Sequence, residues 1–199
     1  MQGRDIVGIL LAAGRGTRFD ANGRRNKLLA RIDNTPVVAL AARSLRAALG
    51  RVIAVVRVDD SDTAAILADE GCTVLPIDSS DAGMSVSLRC ALEHTKNADG
   101  WVVALGDMPY VRPGTSRALA QALATGADIA APYFQGRRGN PVAFGRDHFA
   151  ALMQLQGDQG ARALLAAHPL ARVDVDDPGI HLDIDTDADL ARPANENQR

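Results

Sequence analysis

Four short apolar runs, Ile6–Leu11, Val52–Val56, Thr73–Leu75 and Trp101–Leu105, constrain this chain more than any other feature. Each is continuous rather than alternating, so each needs cover on both faces, the condition of a strand inside a parallel sheet. Stretches with helical periodicity separate them and have legible ends. Thr35-Pro36 reads as a cap followed by proline at the first helical position, with Gly50 closing that helix. Ser61 and Gly71 bound a second helix, Pro113 and Gly126 a third. Strands alternating with helices predict a three-layer, Rossmann-like α/β fold with a doubly wound, mostly parallel sheet. The regularity breaks after Gly126. Asp128–Phe134 and Pro141–Phe144 flank Gln135-Gly136-Arg137-Arg138-Gly139-Asn140, which reads as a hairpin excursion. Two helical pieces follow, then short strands expected around Arg172–Val175 and Ile180–Ile184.

The 199 residues suit one domain, expected over 1–192, with 193–199 as a frayed tail. Aromatic residues make up only 4% of the chain, which argues against a stacking surface for single-stranded nucleic acid. A net charge of −2 gives no global attraction to nucleic acid or an anionic membrane. No apolar stretch approaches the ~18 residues of a membrane span, and the start has no signal-peptide core, so a cytoplasmic location is expected. Cys72 and Cys90 are isolated, without metal-site spacing, and read as free thiols of a reducing compartment. Charge is unevenly placed. Residues 1–60 hold 11 Arg and Lys against 5 Asp, whereas residues 173–189 hold seven Asp and no base. These blocks are either a polyphosphate end and a cation end of one site, or merely solvated faces.

The first run leads into LLAAGRGTRF, Leu10 to Phe19, with Asn26-Lys27-Leu28-Leu29 downstream. This is not a Walker A loop, because Gly14 and Gly16 are not followed by Gly-Lys. Nor is it a dinucleotide fingerprint, since Phe19 stands where the third small residue belongs. The glycines alone would fit a tight strand-to-helix turn. Arg15 and Arg18 inside the turn, with Lys27 beyond it, point instead to an anion at the carboxyl end of the strand, where open α/β sheets bind ligands. Asp107, in Gly106-Asp107-Met108-Pro109, leaves the end of another strand and suits either a helix cap or a ligand. Asp183 and Asp185 lie two apart on an expected strand and so face one side. Two carboxylates together suit Mg²⁺, which takes one or two of them plus phosphate oxygens; a protective acidic edge is the alternative.

Six motifs occur in order: LLAAGRGTRF…NKLL, GMSVSL (Gly83–Leu88), GDMP, GRRGNPVAF (Gly136–Phe144), GDQGAR (Gly157–Arg162) and DIDTDADL (Asp183–Leu190). Together they resemble the MobA-like nucleoside-triphosphate transferases, and within these the molybdenum cofactor cytidylyltransferases, over nearly the whole chain. One departure is Asp20, where the family usually has glycine; Gly23 comes later. The resemblance implies a fold of the nucleotide-diphospho-sugar transferase type and transfer of CMP from CTP to the terminal phosphate of molybdopterin, releasing pyrophosphate. It implies Mg²⁺ as cofactor and a molybdoenzyme as recipient of the product. By this resemblance Leu11, Ala12, Ala13, Gly14, Arg15, Gly16, Lys27, Gly83, Ser87 and Asp107 bind the nucleotide. Lys27, Arg18 and Asp107 are the catalytic set, and Asp107 with Asp183 or Asp185 holds the metal. Ala13 stands where guanylyltransferases of the superfamily carry glycine, which goes with cytidine; Ser87 matches a base-contacting serine or is simply an early helix residue.

Arg137, Arg138 and Asn140 on the excursion are candidates for the acceptor's phosphate or pterin, or belong to a solvated turn. Asp158 and Arg162 have helix ion-pair spacing. The four histidines have no metal or triad spacing, and Trp101 reads as core. Three other functions stay open: transfer to a different phosphorylated acceptor, an NAD(P)H oxidoreductase using Asp33 on the ribose, and a non-catalytic cofactor carrier.

Overall fold

Strand β1 (Ile6–Leu11) runs between two parallel partners, β4 (Val52–Arg57) and β6 (Gly100–Leu105), with β5 (Thr73–Ile77) parallel beyond β4. The computed structural model describes residues 4–14, 16, 19–20, 25–78, 83–157 and 161–191. On the far side of β6 the direction reverses. Strand β9 (Val142–Gly145) is antiparallel to β6, and β7 (Ile129–Phe134) is antiparallel to β9. Strand β10 (Ala171–Asp174) pairs parallel with β7 at that edge, while β8 (Arg137–Arg138) folds back on β7 as the hairpin. The order is β10-β7-β9-β6-β1-β4-β5, a mostly parallel mixed sheet.

Both faces of the sheet are covered, as the continuous apolar runs require. In β4 the alternation is explicit: Val52, Ala54 and Val56 enter one core, Ile53 and Val55 the other. The first core is completed by Leu45 of α1 (Val37–Ala48), Leu67 of α2 (Ser61–Asp69) and Leu119 and Leu123 of α4 (Pro113–Ala124). The second is completed by Leu88 and Leu92 of α3 (Met84–His94), Leu152 of α5 (Phe149–Met153) and Leu164 of α6 (Arg162–Ala167). Each such side chain, when fully buried, contributes roughly 1.5–3 kcal/mol. Among the described residues, no helix is long and apolar enough to cross a membrane.

Helix ends follow local chemistry. Asp60 caps α2 by accepting from the Thr63 N–H at 3.1 Å, and Pro113 occupies the first turn of α4. The cap of α4 comes from far along the chain: buried Asp177 accepts from the Arg112 N–H and the Thr115 hydroxyl. Two expectations need correction. Thr35-Pro36 is not the start of a helix but strand β3, paired with β2 (Arg31–Ile32) across a two-residue turn; α1 begins at Val37. Asp33 and Asn34 take φ 47° and 64°, the mirror-image turn that short hairpins favour. Ile180–Ile184 is not a strand. Asp177 accepts from the Gly179 N–H, Pro178 opens a 3₁₀ turn over Pro178–His181, and residues 182–185 then run outside any ladder.

Cys72 and Cys90 are free thiols, and burial pushes Cys72 up to about 11, with Arg46 opposing the rise and Glu70 adding to it. Trp101 is fully buried, and its indole N–H donates to Thr95 Oγ1 at 2.8 Å. The Thr95 hydroxyl in turn donates to the Ala91 carbonyl. Thr95→Val keeps the shape and strands the indole donor, so it is expected to cost about 1–3 kcal/mol of stability. Urea unfolding checks this; a midpoint unchanged from the parent would show that the indole finds another acceptor.

Candidate active site

The site forms where β1 and β6 end. The Gly106 N–H donates to the Leu11 carbonyl and the Ala12 N–H to the Val55 carbonyl, both at 2.9 Å, so the glycine-rich loop departs from a fixed point in the sheet. Gly16 then takes φ 61°, and a Cβ there would lie only 3.2 Å from Lys27 Cγ. Glycine thus supplies the left-handed turn and lets the loop lie directly on the lysine stem. Lys27 opens a 3₁₀ turn, Lys27–Leu29, whose preceding residue fixes its place. Asn26 accepts from the Leu28 N–H at 3.0 Å and donates to Asp60 Oδ2 at 2.7 Å and Thr63 Oγ1 at 3.2 Å. The lysine backbone is therefore anchored to the first turn of α2.

Lys27 Nζ lies 2.6 Å from Asp107 Oδ2 and 3.1 Å from Asp185 Oδ1, with its side chain only 10% exposed. Asp107 sits in the turn after β6, and its carbonyl accepts from the Ile184 N–H at 2.9 Å, which ties the two acidic segments together. Asp185 is held from behind. Buried Asp189, in α7 (Asp187–Leu190), accepts from the Asp185 N–H, the Thr186 N–H and the Thr186 hydroxyl. On the rim, Arg25 forms a two-pronged pair with Asp187 and lies 4.9 Å from the centre of the Phe19 ring. Phe19 packs with Val37 and Ile184, so the loop, α1 and the acidic segment share one small core.

The electrostatics follow from this geometry. Burial alone would lower the Lys27 pKa, but Asp107 and then Asp185 outweigh it and hold the ammonium above its ordinary range. Asp107 Oδ1 is buried with no hydrogen-bond partner among the described residues. Asp183 keeps an exposed edge, yet the protein around its carboxyl raises its pKa; Asp185 and Asp107 add to the rise, while its own backbone and Lys27 oppose it. Among the described residues, no three His, Cys, Asp or Glu side chains converge as a ready metal shell.

Beside this cluster lies a cavity of about 330 Å³ at the ends of β1 and β6, lined by Leu11, Leu105, Val103, Met84, Ser85, Arg138 and Asn140 among others. Of the excursion residues, Arg138 and Asn140 therefore reach the cavity and Arg137 does not line it. A Cβ at Gly139 would collide with the backbone of Ile180, and the Asn140 N–H donates to the Ile180 carbonyl at 3.0 Å. That close approach turns the excursion inward. Ala12 is buried, Ala13 is half-buried in the second core, Gly14 is exposed, and Gly83 immediately precedes α3. Ser87 is buried in α3 and is not part of the cavity lining, whereas Ser85 is. Arg15, Arg18 and Asp158 lie outside the described residues, as does the segment 193–199.

Sequence reasoning had passed over Asn26, Arg25, Asp60 and Asp189. Of these, Asp189 has a local signal: Thr186-Asp187-Ala188-Asp189 has the spacing of a helix N-terminal box, here with Asp in place of Glu. The Arg25–Asp187 pair spans most of the chain and has no local signal. Asp33 sits in the β2–β3 turn, which accounts for it without a ribose.

A glycine-rich loop, a lysine and two acidic segments at the carboxyl edge of a mostly parallel sheet define an α/β nucleotidyltransferase. The chain belongs to the family of the MobA-like NTP transferase domain, whose model matches residues 8–173. Among solved structures it is similar to Rv0371c from Mycobacterium tuberculosis H37Rv, with 30% identity over 95% of this chain and 96% of that one and a TM-score of 0.83. A manganese complex of Rv0371c is 31% identical over 93% of this chain and 95% of the other, with a TM-score of 0.78. A 4-diphosphocytidyl-2C-methyl-D-erythritol synthase from Anaerococcus prevotii shares the fold, with 14% identity, coverage of 94% and 93%, and a TM-score of 0.73. No curated protein matches the chain.

The raised Asp183 pKa has a sign. The native state holds that proton to higher pH than the unfolded chain, so ionisation of Asp183 weakens the fold as pH rises from the ordinary carboxylate range through the raised native value. Asp183→Asn is expected to raise the urea midpoint at about pH 7.5 and to lose that gain toward about pH 4. An equal effect at both pH values would remove the electrostatic account.

Proposed function

We propose that this enzyme transfers CMP from CTP to the terminal phosphate of a molybdopterin-type acceptor. The observation that carries the reading is Lys27 bridging Asp107 and Asp185 beside a cavity that bears Arg138 and Asn140. A phosphate oxygen of the acceptor attacks the α-phosphorus; the bond from that phosphorus to the bridging oxygen breaks, and pyrophosphate leaves with the electron pair. No covalent enzyme intermediate is needed, because the chemistry depends on in-line placement and charge neutralisation.

Lys27 is assigned to the α-phosphate, and Arg15, Arg18 and the loop N–H groups around Gly14 and Gly16 to the β- and γ-phosphates. Gly83 and the start of α3 face the base, with Ala13 narrowing its pocket toward cytosine. Arg138 and Asn140 hold the acceptor, and its ring system lies against the apolar wall of Leu11, Val103 and Leu105. A divalent cation fits the donors present: Asp107 offers a buried, unpartnered oxygen, and Asp185, with Asp183 as the other candidate, supplies the second carboxylate. Two hard oxygens are what Mg²⁺ takes from protein when phosphates complete its shell. When bound, it neutralises charge developing on the phosphates. The manganese complex of Rv0371c supports metal use, and Mg²⁺ is the ion proposed for this chain. One domain over 1–192, a cytoplasmic location and delivery of the product to a molybdoenzyme complete the reading.

Pyrophosphate release, measured with CTP, GTP, ATP and UTP against molybdopterin and against sugar phosphates, tests it. CTP with the pterin is expected to exceed every other pair; a preference for GTP would overturn the base assignment, and a sugar phosphate the acceptor. Lys27→Ala is expected to lower turnover by roughly 10²–10³-fold, the scale set by removing one preorganised charge donor. Near-parental turnover in a folded Lys27→Ala chain would dismiss the lysine's role.

A further inference from the structure

We propose that Lys27 occupies the seat of the divalent cation until nucleoside triphosphate arrives, so that metal and nucleotide enter as one unit. This rests on the metal reading above and adds an order of events to it. The Lys27 ammonium contacts Asp107 Oδ2 at 2.6 Å and Asp185 Oδ1 at 3.1 Å, the same two carboxylates assigned to the cation. A dication held by the same two carboxylates, even through the other oxygen of Asp107, would lie against the ammonium in a covered site, where like-charge repulsion opposes holding both.

The structure limits how the lysine leaves. Asn26 pins the neighbouring backbone to Asp60 and Thr63, and Gly16 lies against the lysine stem. The exchange is therefore a swing of the Lys27 side chain with its backbone fixed. In that swing the ammonium gives up both carboxylates in a site where its side chain is 90% covered, which is unfavourable unless another anion receives it. The α-phosphate is such an anion, and it arrives only with the nucleotide. Asp107 Oδ1, the buried oxygen that has no partner among the described residues, would then be available to hold the cation. Metal and triphosphate thus favour each other's binding, and the coupling is reciprocal. Without nucleotide, Lys27 excludes the metal.

The test measures Mn²⁺ binding to the full chain without nucleotide, read from the loss of the free-ion paramagnetic resonance signal. Lys27→Met is expected to bind Mn²⁺ at least about tenfold more tightly than the parent, the least that removal of a charge in direct contact should give. Lys27→Gln, which keeps a hydrogen-bond donor and guards against misfolding of the methionine variant, is expected to show the same direction. Adding Asp107→Asn to either variant should abolish the gain. Equal or weaker Mn²⁺ binding by both lysine variants, with binding still dependent on Asp107, would overturn the exchange alone. Binding indifferent to Asp107, or none in any variant, would overturn the metal reading and this proposal together. In the unaltered chain, labelling of Lys27 by an amine-acetylating reagent should be insensitive to Mg²⁺ alone and change with Mg²⁺ and CTP; a change with Mg²⁺ alone would also overturn it.

Discussion

The ion triad of Lys27, Asp107 and Asp185 joins three parts of the chain that share no local sequence signal, and the rest of the site is arranged to support it. The ammonium bridges the turn after β6 and the segment before α7. The Ile184 N–H to the Asp107 carbonyl then fixes those two segments directly to each other. Around the triad each support has one task. Asn26 holds the lysine's backbone, Gly16 covers its stem, and Asp189 shapes the loop that presents Asp185. With two carboxylates on one ammonium, the cluster carries a net negative charge, which burial makes costly.

The acidic block near the C-terminus divides its work. Asp177 is buried and caps α4, Asp189 is buried and caps α7, Asp174 pairs with Arg172, and Asp187 with Arg25. Within the block Asp185 contacts Lys27, and Asp183 is coupled electrostatically to both. A run of like charge is therefore a poor guide to a site until the partners of each member are known.

How much could be read in advance depended on the range of the forces involved. The strands were legible because burial on both faces imposes a continuous apolar run; Ile6–Leu11 in β1 has the bounds its composition suggests. The limits of α4 were legible because proline in its first turn and the positive-φ Gly126 after its end are local signals, although its cap, Asp177, is not. Lys27 and Asp107 could be singled out because each stands in a motif at a strand's carboxyl end. Their direct contact was not legible, since it spans 80 residues. Ile180–Ile184 misled because alternation can mimic a strand where Pro178 and the Asp177 cap impose a tight turn instead. Thr35-Pro36 misled for a related reason: the helix-start signal was real but displaced, and the positive φ values of Asp33 and Asn34 depend on a hairpin that periodicity over two-residue strands cannot reveal.

The reversal of direction at β9 has a consequence for how such a chain diversifies. Strands β1, β4, β5 and β6 all run one way and deliver the glycine-rich loop and Asp107 from their carboxyl ends, whereas Arg138 and Asn140 come from a connection inside the antiparallel unit of β7, β8 and β9. The two walls of the cavity are thus encoded in separate stretches of sequence that meet chiefly along the β6–β9 pairing. Substitutions in the connection between β8 and β9 can reshape one wall while the wall built from the ends of β1 and β6 keeps its own hydrogen bonds. A fold divided in this way permits inheritance of one half of a binding site while the other half drifts.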